Sequence, residues 1–288
     1  MKLKRIFMFL GLLCLGAAIT LPPGPAQGEV YVEAYLGGVQ GANAPMNLTT
    51  IHRDEPAPYV WDNRESHATP GRLEPAFLGG LKVGTWFVKD GFLGGDYPDW
   101  MKYFGAYLDF SFHRLDFRHQ LGGTSASDLN FPFPPSVSGK NFFASNGTAA
   151  TLAFMLAGRW GFFKDSEVPF GRLQPYLAVG PAVLFISQRP TLSGNLYDGA
   201  LSIFRPYTVS PGSSSQATVA LAVDAGFRYM CLKNVSLDIF FRYRYAQPSI
   251  DFQYHDHVGG TTVNGQRTIT LDPTLHLFSG QVGVSYHF

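Results

Sequence analysis

The chain has 288 residues, 15% of them charged and 15% aromatic, with 32 glycines and a formal net charge of +1. Soluble domains average roughly 25% charged residues, so few charges with many aromatics and glycines suit a sheet that turns one face to lipid. The near-zero charge argues against a nucleic-acid partner, which needs a concentrated basic surface, and no basic stripe runs along the chain.

Lys2, Lys4 and Arg5 precede an apolar run from Ile6 to Ile19, and proline-rich sequence then leads to Ala26-Gln27-Gly28. This pattern is read as a secretory signal peptide over residues 1–28, cleaved after Gly28. A membrane anchor fits less well, because 14 residues rise only about 21 Å as a helix against roughly 30 Å of hydrocarbon. Leu13 before Cys14 argues against lipidation. Cys231 is then the one cysteine of residues 29–288, so no internal disulfide is expected.

Eight alternating segments follow. The first, Glu29 to Gln40, opposes Val30, Val32, Ala34 and Leu36 to Tyr31, Glu33 and Tyr35. The second, Ala76 to Val88, sets Phe77, Leu81, Val83 and Phe87 against Gly80, Lys82, Gly84 and Trp86. The third, Tyr103 to Phe117, sets Phe104, Ala106, Leu108, Phe110 and Phe112 against Gly105, Tyr107, Asp109, Ser111 and His113. The fourth, Ala149 to Phe163, carries Arg159 on its more polar face. The fifth, Leu173 to Ser187, is apolar on both faces; Pro175 and Pro181 cannot donate to a ladder, so a bulge is expected. The sixth, Ala217 to Leu232, turns Asp224 and Arg228 away from Val219, Leu221 and Phe227. In the seventh, Val235 to Tyr245, Asp238, Arg242 and Arg244 oppose Leu237, Ile239 and Phe241. The eighth, Leu275 to Phe288, ends with Val282, Val284, Tyr286 and Phe288 on one face.

The connectors alternate in length. Those after the first, third, fifth and seventh segments are long, and Leu232 to Asn234 is a tight turn. Lys89 to Lys102 is an exception of medium length, with Tyr97-Pro98-Asp99-Trp100 suited to a helical turn. These features together predict an all-β fold: an eight-stranded antiparallel up-and-down transmembrane β-barrel over residues 29–288, with four long extracellular loops. The loops are Gly41 to Leu73, Arg118 to Gly147, Arg189 to Gln216 and Ala246 to Thr274. In the last, Ile250 to Tyr254 and Arg267 to Leu271 alternate again, as a hairpin extending the seventh and eighth strands; a ten-stranded barrel is the alternative. A soluble sandwich would put apolar core where this chain puts Glu33, Lys82, Asp109, Arg159, Asp224, Arg228, Asp238, Arg242 and Arg244. Buried charges persist when paired, and a small barrel offers both signs, so these nine residues are expected to form a lumen charge network.

The segments V-Y-V-E-A-Y-L-G-G at Val30 to Gly38, Q-P-Y-L-A-V-G-P at Gln174 to Pro181, S-L-D-I-F-F-R-Y-R-Y at Ser236 to Tyr245 and the terminal V-G-V-S-Y-H-F resemble the small bacterial outer-membrane β-barrel family that includes the OmpA transmembrane domain and the opacity-type surface proteins. The resemblance implies outer-membrane localisation and contact with outer-membrane lipids and lipopolysaccharide. It also implies that Val284, Tyr286 and Phe288 form a signal read by the barrel assembly machinery. Peptidoglycan anchoring is not implied.

Two clusters could carry chemistry. Asp109, Ser111 and His113 share one strand face, but such neighbours lie about 7 Å apart and face the lumen, away from lipid esters. His255 and His257 flank Asp256, yet two histidines are short of a metal site. No catalytic, metal or cofactor site is expected. The expected function is non-enzymatic: a monomeric structural component of the envelope displaying loops to an unidentified surface ligand. A narrow porin-like channel for small solutes is the alternative, with a lipid-modifying enzyme behind it.

Overall fold

The computed structural model describes residues 30–44, 46–54, 61–88, 97–128, 141–198, 203–255 and 266–288. Residues 1–28, with the expected signal peptide, lie outside them. The described residues form fourteen strands: β1 (Val30–Gly41), β2 (Met46–Asp54), β3 (Trp61–Thr69), β4 (Ala76–Trp86), β5 (Phe104–Arg114), β6 (Phe117–Asp128), β7 (Asn141–Arg159), β8 (Leu173–Asp198), β9 (Ile203–Val209), β10 (Ser214–Leu232), β11 (Val235–Ala246), β12 (Ile250–His255), β13 (Gln266–Leu271) and β14 (Leu275–His287). The medium connector holds a 3-10 turn at Asp99–Tyr103.

Eight of these strands close a ring in the order β1, β4, β5, β7, β8, β10, β11, β14, every neighbour antiparallel. The seal joins the ends of the chain: Val32 opposes Tyr286, Ala34 opposes Val284 and Leu36 opposes Val282. Closure leaves the ring without a free edge. Around its outside runs an apolar band that includes Leu108, Phe154, Leu177, Leu221, Ile239 and Val282, all exposed. A contiguous band of this extent is incompatible with water and fits hydrocarbon. The barrel is therefore a transmembrane one.

Its strands outrun the membrane. A tilted membrane strand needs roughly 9–11 residues, whereas β7 and β10 have 19 each and β8 has 26. The surplus lies at the long-loop end, where β12, β13, β2, β3 and β6 pair in sequence and join β7, while β9 pairs with the end of β8. The expected hairpin of residues 250–271 forms as β12 and β13, outside the ring. The other three long connectors, expected as loops, hold β2, β3, β6 and β9. They carry little lipid-facing periodicity because they meet no lipid.

In this crown the sheet reverses its polarity. Within the membrane the inward face carries the charged residues, with tyrosines and small residues such as Ala153 and Ala178 between them. Beyond it Leu184, Ile186, Ile250, Phe252, Ile269, Leu271, Leu275 and Leu277 are buried, whereas Asp251 and Gln253 are exposed. Leu184 and Ile186 also explain why the fifth predicted strand reads as apolar on both faces: its outer half belongs to this second core.

The bulge expected at Pro175 and Pro181 is absent. The β8–β10 register runs unshifted from Leu173 to Gln188. The β7–β8 pairing omits Phe154 and Met155 opposite Pro181 and Gly180, then resumes in the same register. Missing donors are tolerated here without an inserted residue. Gly180 is required by close approach, since a Cβ there would lie 1.9 Å from the Phe154 carbonyl oxygen.

At the opposite rim, residues 160–172 join β7 to β8. Arg172 binds Asp165 and Glu167 and donates to the Met230 and Cys231 carbonyls, both at 3.3 Å. The Val168 N–H, and then Arg172, hold the Asp165 carboxyl below its usual range.

Two outcomes follow. Gly180→Ala should lower stability by about 1–3 kcal/mol through overpacking, read as a lower urea midpoint of heat-modifiable gel mobility, whereas Gly38→Ala, with nothing within 4 Å of its Cβ, should be neutral. Because the folded state depresses the Asp165 pKa, its contribution is complete above the unfolded value of about 3.9 and is lost as pH falls through the lower folded value. Asp165→Asn should therefore be slightly less stable than the parent at neutral pH, the difference vanishing in acid.

Candidate functional site

The nine charged residues named from the sequence all lie inside the ring and all are buried. Register positions most of them before any side chain adjusts. Glu33 opposes Lys82, Lys82 opposes Asp109, Asp224 opposes Arg242 and Arg228 opposes Asp238. Opposite charges on facing strands stabilise the pairing they sit in.

Arg242 is the hub. Its Nε and Nη2 donate to the two oxygens of Asp224, both at 2.6 Å. Nη1 and Nη2 donate to the two oxygens of Asp109, both at 2.8 Å, and Nη1 also donates to the Tyr35 hydroxyl at 2.9 Å. All five guanidinium N–H groups are thus engaged, a geometry that Lys cannot reproduce. The Tyr35 and Tyr107 hydroxyls donate in turn to Asp109 and Asp224, each at 2.8 Å. Arg244 donates to Asp109 at 3.2 Å and to the Thr151 hydroxyl at 2.9 Å.

A second centre surrounds Glu33. Lys82 binds it at 3.0 Å and Arg228 at 3.3 Å, while Arg228 reaches Asp238 at 2.8 Å. Ser236 and Ser285 each donate to Asp238 at 3.0 Å. Aromatic faces complete the cation environments. Lys82 Nζ lies 3.2 Å from the Phe240 ring centroid, Arg228 lies 4.2 Å from Tyr31, and Arg159 lies between Trp86 and Phe170 at 4.2 and 4.0 Å. Arg159 also donates to Gln174 at 3.0 Å. The two centres balance four carboxylates with Lys82, Arg228, Arg242 and Arg244, as buried charges require. Tyr31, Tyr35, Trp86 and Tyr107 alternate onto the charged face in the sequence, but their contacts with the ions, and the place of Phe240 among them, emerge only from the fold.

Ser111 and His113 do face inward beside Asp109. His113 Nδ1 lies 2.8 Å from the Arg114 carbonyl, and Asp109 is taken by Arg242, Arg244 and Tyr35. No Ser111–His113 hydrogen bond forms among the described residues, and the Ser111 hydroxyl and His113 Nε2 are buried without a protein partner. Asp256 and His257 lie outside the described residues. Among the described residues no three metal-ligating side chains gather.

Removing the hub tests the arrangement. Arg242→Met should destabilise the barrel by about 3–5 kcal/mol, because two buried carboxylates lose their counter-charge. Adding Asp109→Asn and Asp224→Asn should restore most of the loss, with urea midpoints in detergent micelles as the measurement. Arg242→Lys should recover only part.

No protein-family model matches the chain, and no curated protein matches it. Solved structures similar to it include the outer membrane protein OprG from Pseudomonas aeruginosa, at 13% identity and a TM-score of 0.45, covering 92% of this chain and 99% of that one. Neisserial surface protein A is similar at 13% identity and a TM-score of 0.30, covering 90% and 97%. The attachment invasion locus protein Ail of Yersinia pestis is similar at 10% identity and a TM-score of 0.29, covering 90% and 99%. The barrel assignment rests on the strand pairing of this chain itself.

Proposed function

We propose that this protein is a non-enzymatic barrel of the bacterial outer membrane that carries a rigid β-crown above the membrane as a surface for contact. The observation that carries this reading is the stacking of two filled interiors. Within the membrane the lumen is filled by the ion-paired cluster around Arg242 and Glu33, whose members are nearly inaccessible. Above it lies the apolar core of Leu275, Ile269, Phe252 and Leu184. An eight-stranded barrel has an interior just wide enough for side chains to fill, and here both chemistries fill it. A solute path would have to break the ion cluster and then cross the apolar core.

Display is the role left to such a scaffold. Four connectors converge on one rim, and the sheet extends to hold them there. Binding functions commonly lie in segments positioned by a rigid scaffold.

Purified protein in planar bilayers is expected to give no steady conductance, and Arg242→Ser, which opens only the lower closure, is expected to stay silent. Steady ion-sized currents from the parent protein would favour the channel reading and sink this one. Replacing residues 46–69 and 250–271 with short Gly-Ser turns should leave heat-modifiable mobility intact while abolishing cell adhesion to surfaces.

A further inference from the structure

The outer face of the barrel is not uniform where the apolar band ends. Arg72, Arg114 and Arg118 are all exposed around the start of β4 and the β5–β6 junction. Leu73 bridges Phe117, and the Arg118 N–H donates to the Arg72 carbonyl at 2.9 Å, so Arg72 and Arg118 stand opposite each other across the pairing. Like charges directly opposite are destabilising. Arg114 has a partner in Asp116 at 2.7 Å, an aspartate that also accepts the Gly147 N–H at 2.8 Å. Glu74 is exposed two residues from Arg72, yet among the described residues no ion pair joins it to Arg72 or Arg118. The register shift between Phe117 and Gln120 leaves both Arg118 and His119 exposed. Bulges re-aim side chains in this way. Elsewhere on the outer face Arg189 is an exposed arginine whose register partner is the neutral Asn146, so the facing of two arginines sets this sector apart.

Beside these arginines the apolar wall is notched. Along one register row, Phe241 opposes Gly280, Gly280 opposes Gly38 and Gly38 opposes Phe77. Phe77 is 93% exposed, and a Cβ on either glycine would meet nothing within 4 Å. The notch has a volume of about 510 Å³, with the glycines as floor and Phe77, Phe241 and Phe278 as walls. One step beyond the Leu78–His113 pair, the same row reaches Arg114 from Phe77.

We propose that this sector binds a phosphorylated, multi-acylated lipid of the surrounding leaflet, with its phosphate on Arg72 and Arg118 and one acyl chain in the Gly38–Gly280 notch. The phosphate supplies a counter-charge that no ion pair among the described residues gives Arg72 or Arg118, by the charge-assisted hydrogen bonds guanidinium groups make well. The notch opens onto the outer margin of the apolar band, with Phe77, Phe241 and Phe278 on its band side and Gln40 at its edge, so the occupant that fits it is an acyl chain of the membrane. The assignment rests on the outer-membrane reading above and adds a lipid class and a place for it.

Native mass spectrometry of the full-length protein, offered bisphosphorylated lipid A and its dephosphorylated form in detergent, tests it. The parent should retain the phosphorylated lipid preferentially. Arg72→Gln with Arg118→Gln should lower that retention about tenfold, as loss of charge-assisted contacts would, and Gly38→Leu with Gly280→Leu should lower retention of both forms by filling the notch. Unchanged heat-modifiable mobility shows that each variant folds. Equal retention of the two lipids, or an arginine double variant that retains the phosphorylated form like the parent, overturns the inference while leaving the barrel reading intact. Loss of heparin binding in the arginine variant with lipid retention unchanged also overturns it, in favour of a soluble polyanion. A parent protein indifferent to boiling would remove the membrane reading itself.

Discussion

Arg242, held between two carboxylates, is the contact on which the membrane-embedded part of this protein depends. A guanidinium buried in a lumen without full satisfaction would cost several kcal/mol, yet here each of its five N–H groups has an acceptor. Those acceptors come from β1, β5 and β10, while Arg242 itself stands on β11. One side chain therefore links four strands across the barrel, including β1, which closes the ring. The partners are useful only in one register, because a slip of one residue would turn every charge toward lipid. Electrostatics and strand alignment thus specify the same structure.

The reversal of polarity between barrel and crown follows from the same rule applied to two solvents. Where hydrocarbon lies outside, apolar side chains point outward and charge is paired within. Where water lies outside, Ile250, Phe252, Ile269 and Leu271 turn inward and Asp251 and Gln253 turn out. Strands β8 and β14 cross from one regime to the other without interruption. In β14, Leu275 and Leu277 share the inward face with Ser279 and Gln281. The alternation is unchanged; only the chemistry assigned to each face changes.

This explains what the sequence made legible. The eight ring strands were readable because lipid enforces a strict period on one face, as in Phe104 to Phe112, and because the charges on the other face keep company with their register partners. The sealing of β1 against β14 followed from the same pattern. β2, β3, β6 and β9 were hidden because a sheet wetted outside needs few large apolar residues, and M-N-L-T-T-I-H-R-D reads as polar loop. The partners of Arg242 and Arg244 were likewise undetermined, since sequence shows which side chains face the lumen but not which reach across it. Asp109 on β5 is the acceptor that the two arginines share.

The unbroken passage of β7 and β8 from membrane to crown has a mechanical consequence. Their register holds from the Asn141–Gly194 pair to the Ala153–Ala182 pair without a hinge, so a load applied at the tip is borne in shear by many hydrogen bonds in parallel. Tugging on the crown would strain the ladder as a whole and pass the force into the barrel wall, where the surrounding bilayer resists extraction. The molecule is built less like a tethered flag than like a mast whose step is set in the membrane.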